Sequence, residues 1–231
     1  MADIRMRGFQ SIPPVIKNLV IVNVLFWLAE LTFQEPFINV LALHHFKHPD
    51  FGIWQLVSYM FLHSLQPFHI LMNMFVLWMF GTTLEDVWGS KRFLIFYLIC
   101  GLGAALVQLG VMGVSLNLLM DKFASGSITE AEFRVRGSEI YNTTVVGASG
   151  AINGVMAAFA YTFPNTPLFI FPLPVPIKAK YVVIGYFLLD LFGGINPRYG
   201  DNVAHFAHVG GAIIGLILVM TMNKSNRRTF Y

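Results

Sequence analysis

The chain has 231 residues, of which 56% are hydrophobic and 12% are charged, and its formal net charge is +3. Soluble domains carry about 25% charged residues, so this composition excludes an ordinary soluble domain. The basic residues are scattered among apolar runs, which excludes the concentrated patch typical of nucleic-acid-binding proteins.

Six apolar stretches predict membrane-spanning helices. Crossing a bilayer takes about 20 mostly apolar residues, and such stretches lie near residues 16–34, 69–88, 93–115, 147–163, 179–195 and 203–222. The first lacks a small-residue cleavage site, so we expect it to be retained and not removed as a signal peptide. Residues 1–231 are therefore predicted to form one all-α membrane domain, a six-transmembrane-helix bundle with a long first outer loop.

The distribution of basic residues predicts the orientation of the bundle. With a cytoplasmic N-terminus, ten of the fifteen Lys and Arg residues face the cytoplasm, as the positive-inside rule requires. These ten are Arg5, Arg7, Lys17, Lys91, Arg92, Lys178, Lys180, Lys224, Arg227 and Arg228. Six spans return the C-terminus to the same side.

The loop between the first two spans, residues 33–68, combines Phe, Pro and His residues with Trp54, a mixture typical of the lipid headgroup zone. His44, His45 and His48 are candidate metal ligands. No Cys or carboxylate cluster nearby completes a ligand set, so we interpret this segment as an interfacial loop.

The second span carries a polar pair, His69 and Asn73, whose i, i+4 spacing puts both on one helix face. Both side chains can donate hydrogen bonds, so the pair suits an oxyanion-binding site if it faces a cavity. As a structural pair, it would bridge two helices.

The loop near residues 116–146 is the most polar part of the chain. Thr129 and Glu132 in its middle form a Thr-x-x-Glu pattern typical of a capping box. We therefore predict a short surface helix over residues 129–135.

Ser149 stands near the start of the fourth span, which Pro164 cuts short, and Gly147 and Gly150 flank it. The start of a helix offers free backbone N–H groups and the positive end of the dipole, which suit a developing oxyanion. Taken alone, Ser149 is better explained as a small packing or capping serine.

The sixth span carries a histidine that can serve as the base. Small-residue seams, which permit close helix packing in lipid, occur in both spans: Gly150 and Gly154 in the fourth, Gly211 and Gly215 in the sixth. Contact between the seams would bring Ser149 and His208 within hydrogen-bonding reach, and a neutral histidine can then activate the serine.

Two further polar residues lie in the last two spans. His205 precedes His208 by one helical turn and is the competing candidate for the base. We favour His208 because of its distance to Gly211, and we expect His205 to be its more hydrated neighbour. Asp190, in the fifth span, is interpreted as a buried polar anchor or as a residue that lines the cavity.

Together these residues resemble the rhomboid family of intramembrane serine proteases. Three motifs carry the resemblance, over about residues 50–222: Gly-x-Ser-Gly at Gly147-Ala148-Ser149-Gly150, His-x-x-Gly-x-x-x-Gly from His208 through Gly211 to Gly215, and His-x-x-x-Asn at His69 and Asn73, followed by Glu85.

The resemblance implies a role for each of these residues. Ser149 is then the nucleophile, His208 the general base and acid, and His69, Asn73 and the Ser149 backbone N–H are the oxyanion donors. The implied supporting residues are Gly147, Gly150, Gly211, Gly215 and Glu85, the last by tying helix ends together near the cytoplasmic face.

Three positions differ from the family pattern. Gln55 follows Trp54 where the family often has Arg, and this change is expected to alter how the first loop lies against the headgroups. The segment between His63 and His69 is one residue longer than in the usual family pattern. Asn153 replaces the usual aromatic residue and would remove its packing near the catalytic histidine.

By resemblance, the chain is expected to be a serine endopeptidase that cleaves transmembrane segments of other membrane proteins. Its partners are then such substrates and the lipid bilayer, with no nucleic acid, metal or organic cofactor. We expect a bacterial cytoplasmic membrane. The alternative is an inactive rhomboid-like protein that binds membrane proteins; a transporter is disfavoured because the two halves lack matching broken spans.

Overall fold

The computed structural model describes residues 12–169, 175–196 and 204–225, with side chains of the last helix described through Met222. Within these ranges the chain forms eight α-helices: α1 Pro14–Leu41, α2 Gln55–Ser58, α3 Pro67–Trp88, α4 Ser90–Ala124, α5 Glu130–Asn142, α6 Ser149–Thr162, α7 Ala179–Ile195 and α8 His205–Ser225. A 3-10 turn covers Tyr59–Phe61, and strands β1 Pro167–Leu168 and β2 Ile177–Lys178 form an antiparallel pair. Arg5, Arg7, Arg227, Arg228 and the predicted start of the sixth span at residue 203 lie outside the described residues.

The all-α membrane bundle predicted from the sequence is confirmed. Among the described residues, α1, α3, α4 and α8 are long and apolar enough to cross a membrane. The fourth and fifth predicted spans form the shorter helices α6 and α7, of 14 and 17 residues. Helix α6 begins only at Ser149 and ends just before Pro164, which disfavours helical geometry in the residue that precedes it.

Helix α1 is longer than predicted and contains a break. The backbone of Gln34 has a φ of 49°, and Pro36 lies two residues later. Proline lacks an N–H, and its ring clashes with the helical carbonyl four residues earlier. The predicted end near residue 34 therefore coincides with an interruption, after which the helix continues to Leu41.

Helix α4 also extends beyond its prediction of 93–115, as far as Ala124. The short helix α5 packs against this extension, where the rings of Phe123 and Phe133 stack with centroids 4.7 Å apart. The predicted capping box of Thr129 and Glu132 is confirmed at the start of α5. The polar segment near residue 116 thus begins as helix and not as loop.

Helix α6 is the centre of the bundle and contacts α3, α4, α7 and α8. Ten of its 14 residues are buried, which explains its Ala- and Gly-rich sequence. Its closest neighbour is α8: a Cβ atom on Gly211 would overlap the carbonyl oxygen of Gly150, and one on Gly215 would lie 2.5 Å from Cα of Gly154. The two glycine seams therefore pack backbone against backbone.

Candidate active site

The chain enters α6 through an extended segment that the first loop holds in place. Leu43 and Val145 exchange backbone hydrogen bonds at 3.0 and 2.9 Å. The N–H of Gly147 donates to the carbonyl oxygen of Tyr59 at 2.9 Å, and the Tyr59 hydroxyl donates to the carbonyl oxygen of Gly101 at 2.8 Å. The start of α6 is thus fixed against both the loop and α4.

Gly147 has a backbone conformation that favours glycine, with a φ of 132°. A Cβ atom at this position would lie 3.3 Å from Oγ of Ser149 and 3.6 Å from Nε2 of His69. The missing side chain therefore leaves room between a hydroxyl and an imidazole nitrogen.

Ser149 is the first residue of α6, is half-buried, and contacts His208 of α8. Its Oγ lies 2.7 Å from Nε2 of His208, which is the usual length for a hydroxyl donor. The first N–H groups of a helix have no partner within it, so those at the start of α6 can bind an oxyanion. Of the two candidate histidines, His208 makes this contact with Ser149.

The second ring nitrogen of His208 faces a carboxylate. Its Nδ1 lies 3.0 Å from Oδ1 of Asp190 in α7, and Nδ1 of His205 lies 2.8 Å from the same oxygen. Asp190 is buried, with 5% of its surface exposed. The side chain of His205 is more exposed than that of His208, 17% against 10%, in agreement with its predicted hydration.

Nε2 and Cε1 of His69, near the start of α3, both lie 3.6 Å from the position that a Cβ atom on Gly147 would occupy. Its Nδ1 accepts the backbone N–H of Ser64 at 3.1 Å and lies 3.1 Å from the Ser64 hydroxyl. Because a neutral imidazole has one N–H, acceptance at Nδ1 leaves the proton on Nε2. His69 is thereby prepared to donate a hydrogen bond towards the space beside Ser149.

Asn73 lies one turn after His69, as the spacing predicts, and is buried. Its Nδ2 donates to the carbonyl oxygen of His69 at 2.9 Å. One of its two N–H bonds is therefore engaged within α3, and the other is the one that can serve a ligand.

The loop that carries Ser64 is tied to α1 by a buried carboxylate. Both oxygens of Glu30 accept the backbone N–H of His63 at 3.0 Å, and Nε1 of Trp27 donates to the carbonyl oxygen of Ser64 at 3.2 Å. Burial, and to a lesser extent the nearby His69, lower the pKa of His63 to about 4. The His63 ring, which packs edge-on against His69 with centroids 5.3 Å apart, is thus neutral at physiological pH.

Gln55 and Asn153, which differ from the family pattern, both make internal hydrogen bonds. Gln55 is fully buried: Nε2 donates to the carbonyl oxygens of Val40 and Asp50, and Oε1 accepts the N–H of His44. The side chain therefore points into the loop, and how the loop lies against the headgroups stays a prediction. Nδ2 of Asn153 donates to the carbonyl oxygen of Ser149 at 3.0 Å.

Glu85 lies at the opposite end of α3 from His69 and joins three helices. Its two carboxylate oxygens accept the backbone N–H groups of Val15 and Ile16, both at 2.9 Å, and the Ser90 hydroxyl at 2.7 Å. These contacts connect the start of α1 and the start of α4 to the end of α3.

Two groups of three side chains have potential metal-ligand atoms within 4.8 Å of one another among the described residues: His44, His48 and Asp50, and Asp190, His205 and His208. In the loop group a single carboxylate, that of Asp50, accompanies His44 and His48. In both groups Nδ1 of each histidine already makes a hydrogen bond; Nδ1 of His48, for example, accepts the N–H of Asp50 at 3.2 Å.

Two contributors to the site have no signal in the sequence. Tyr59 holds Gly147 through its carbonyl oxygen, and Ser64 fixes the His69 ring through its N–H. Every residue has a carbonyl group and nearly every residue an N–H, so these contacts depend on backbone position and not on residue type.

A family model described as the Rhomboid domain matches residues 50–225, more than half of the chain. Three relatives are similar over most of it: Rhomboid protein 1, mitochondrial, from Saccharomyces cerevisiae, 27% identical over 68% of this chain; Rhomboid protease AarA from Providencia stuartii, 29% over 71%; and Rhomboid protease GlpG from Haemophilus influenzae, 25% over 84%. The matches span 38%, 54% and 83% of these relatives, so the first two are covered over less than two thirds of their length.

Proposed function

The chain belongs to the rhomboid family, and on that premise we propose that it is an intramembrane serine endopeptidase that cleaves transmembrane segments of other membrane proteins. The observation that carries the proposal is the 2.7 Å contact between Oγ of Ser149 and Nε2 of His208. A serine hydroxyl is a weak nucleophile unless a base takes its proton, and an imidazole nitrogen at hydrogen-bond distance is such a base.

In the first step Oγ of Ser149 attacks the carbonyl carbon of the scissile peptide bond while Nε2 of His208 accepts its proton. The carbonyl oxygen becomes an oxyanion beside Gly147. Nε2–H of His69, the second N–H of Asn73 and the backbone N–H of Ser149 are the proposed donors. Removing one such donor from an acyl-transfer site typically lowers kcat by about 10²–10³-fold.

In the second step His208 gives its proton to the leaving amine, and the carbonyl carbon remains bound to Ser149 as an ester. A water molecule then attacks this ester while His208 accepts one of its protons. The bond between Oγ of Ser149 and the carbonyl carbon breaks, His208 returns the proton to Oγ, and the product leaves as a carboxylic acid. The proposed chemistry uses no metal and no organic cofactor.

The proposed substrates are transmembrane helices within the lipid bilayer. A helix must unwind locally before its peptide bond reaches Ser149, so segments with helix-weakening residues are favoured. We propose a bacterial cytoplasmic membrane as its location, with both termini in the cytoplasm; the distribution of basic residues supports this orientation.

The test is cleavage of a single-span reporter by the full chain reconstituted in lipid vesicles. The wild-type protein should cleave it, and Ser149→Ala and His208→Ala should not. Ser127→Ala, a change of the same kind on the exposed surface, should cleave at the wild-type rate. Cleavage that persists in both site variants would overturn the mechanism, and a wild-type protein that binds the reporter without cleaving it would instead fit a non-proteolytic rhomboid-like binder.

A further inference from the structure

A buried carboxylate lies directly behind the proposed catalytic histidine. Asp190 of α7 directs Oδ1 at Nδ1 of His208, on the side of the ring away from Ser149, at 3.0 Å. The three side chains thus form a continuous series of hydrogen bonds from Ser149 through His208 to Asp190. From this geometry we infer that Asp190 is a positioning residue that holds His208 in the orientation and tautomer needed for catalysis, with His205 as its second partner.

One oxygen of Asp190 serves two histidines. Oδ1 of Asp190 lies 2.8 Å from Nδ1 of His205 and 3.0 Å from Nδ1 of His208. Oδ1 can accept from both rings if Asp190 is ionised, or if its hydrogen is on Oδ2. Oδ2 has no hydrogen-bond partner among the described residues, so a hydrogen there would be buried without an acceptor. The arrangement therefore fits an ionised Asp190 that receives one N–H from each histidine.

This arrangement imposes one tautomer on His208. A neutral imidazole has one N–H and one lone pair. With its N–H directed at Asp190, His208 presents the lone pair of Nε2 to the hydroxyl of Ser149, which is the form that acts as a base. In the opposite tautomer Nε2 carries the hydrogen and cannot accept the serine proton.

The carboxylate of Asp190 lies in a buried position. Asp190 is 5% exposed within a helix of the bundle, and its Oδ2 has no hydrogen-bond partner among the described residues. A buried carboxylate that is only partly satisfied costs stability, and polar groups inside membrane bundles mark functional sites as a rule. When His208 becomes positively charged during the reaction, the Asp190 carboxylate stabilises that charge.

His205 contributes by holding Asp190. Its Nδ1 occupies the same carboxylate oxygen from the side nearer the start of α8, which limits rotation of the Asp190 side chain. The distances from Oδ1 of Asp190 to the two Nδ1 atoms, 2.8 and 3.0 Å, are hydrogen-bond lengths. Two hydrogen bonds therefore explain why the three side chains lie together.

The inference rests on the proposed proteolysis, and its test combines catalysis with a structural measurement on the full chain. Asp190→Asn keeps the side-chain shape but supplies an amide N–H that favours the opposite tautomer of His208. We expect kcat for the reporter to fall by roughly 10²–10⁴-fold with KM within about twofold of wild type, since only the reacting step is affected. Asp190→Glu, which retains the carboxylate, should recover part of the loss.

Asp121→Asn is the matched control, because it makes the same chemical change at an exposed position near the end of α4. It should leave both kcat and KM unchanged. His205→Asn keeps a hydrogen-bond donor beside Asp190 and should cost less activity than Asp190→Asn.

The ¹⁵N spectrum of histidine-labelled protein reports the tautomer independently of turnover. In the wild-type protein the His208 signal, assigned by its loss in His208→Gln, should show a hydrogen on Nδ1 and none on Nε2. In Asp190→Asn the hydrogen should move to Nε2. A wild-type spectrum with the hydrogen on Nε2 would overturn the inference even if the variant failed to fold.

The two proposals fail in different ways. If the wild-type protein cleaves the reporter and Asp190→Asn does so at the same kcat, Asp190 has no positioning role and the protease stands. If the wild-type protein does not cleave, while His208 keeps its Nδ1 hydrogen only in the presence of Asp190, the positioning role stands and the proteolytic function is wrong. A fall in kcat with an unchanged His208 spectrum would refute positioning through the tautomer.

Discussion

Oγ of Ser149 and Nε2 of His208 lie 2.7 Å apart although 59 residues separate them in the chain. The glycine seams of α6 and α8 make this proximity possible, because they bring the two backbones into direct contact. The reactivity of Ser149 therefore depends on these glycines and on the buried groups that hold the surrounding loop and helices.

Fluorophosphonate labelling should report activation of Ser149 without a substrate. We expect His208→Ala to slow labelling by roughly 10³-fold or more, since the hydroxyl loses its base, and Ser149→Ala to abolish it. The rate is followed by gel fluorescence after addition of the probe. Ser127→Ala should label like the wild type; undiminished labelling of Ser149→Ala would show that another residue is the reactive group.

Gly147→Ala should impair catalysis and stability together. The added Cβ would lie 3.3 Å from Oγ of Ser149 and 3.6 Å from Nε2 of His69, at a backbone φ of 132°. Backbone strain of this kind costs about 1–3 kcal/mol, and the methyl group occupies the space assigned to the oxyanion. Reporter cleavage and thermal unfolding measure the two effects.

Gly110→Ala is the control for that change, because no atom lies within 4 Å of a Cβ built there. It should keep wild-type cleavage and leave stability unchanged or raised by up to about 1 kcal/mol. Equal effects of the two substitutions would contradict the special position of Gly147.

Gly211→Ala should separate α6 from α8. Its Cβ would overlap the carbonyl oxygen of Gly150, and overpacking of this kind costs about 1–3 kcal/mol. The same contact sets the distance from Ser149 to His208. We therefore expect both the cleavage rate and the midpoint temperature of thermal unfolding to decrease. Gly185→Ala, where a Cβ meets no atom within 4 Å, should change neither; a fully active Gly211→Ala would argue against the seam.

Glu85→Gln should lower stability more than it lowers the rate constant of the folded enzyme. The carboxylate accepts two backbone N–H groups of α1 and the Ser90 hydroxyl, and hydrogen bonds to a charged group contribute about 1.5–3 kcal/mol. Thermal unfolding of the purified protein should show the loss. Glu139→Gln, on the exposed surface of α5, should unfold like the wild type, and an equal midpoint for Glu85→Gln would refute the role of this junction.

His63 should make the protein less stable in acid. Its pKa is lowered from 6.5 to about 4 in the folded state, so the unfolded chain binds more protons between these values. The free energy of unfolding should therefore be unaffected by this group above pH 6.5 and should fall as the pH decreases towards 4, by up to about 3 kcal/mol. Denaturant unfolding at several pH values measures the slope, which should be shallower in His63→Asn; an unchanged slope would contradict burial of a neutral His63.

The fold was largely predictable because its main features are local. Apolar runs of the right length mark helices, Pro164 marks the end of α6, and the Thr129 and Glu132 pattern marks the start of α5. The break at Gln34 and the extension of α4 to Ala124 were not predicted. Helix α1 continues past Pro36, which in the sequence alone indicates a helix end. Helix α4 continues into a polar segment that in the sequence alone indicates a loop.

The sequence by itself determined which residue types are available to the site: a serine between two glycines, histidines on two spans, and an acid on a third. Only the tertiary structure decided that His208 contacts Ser149, that Asp190 serves both histidines, and that Gln55 is buried within the loop. Each residue along a helix turns the side-chain direction by about 100°, since a turn takes 3.6 residues, whereas a hydrogen bond tolerates only a few tenths of an ångström. Helix register and rotation, which depend on packing across the whole bundle, therefore decide which polar groups meet.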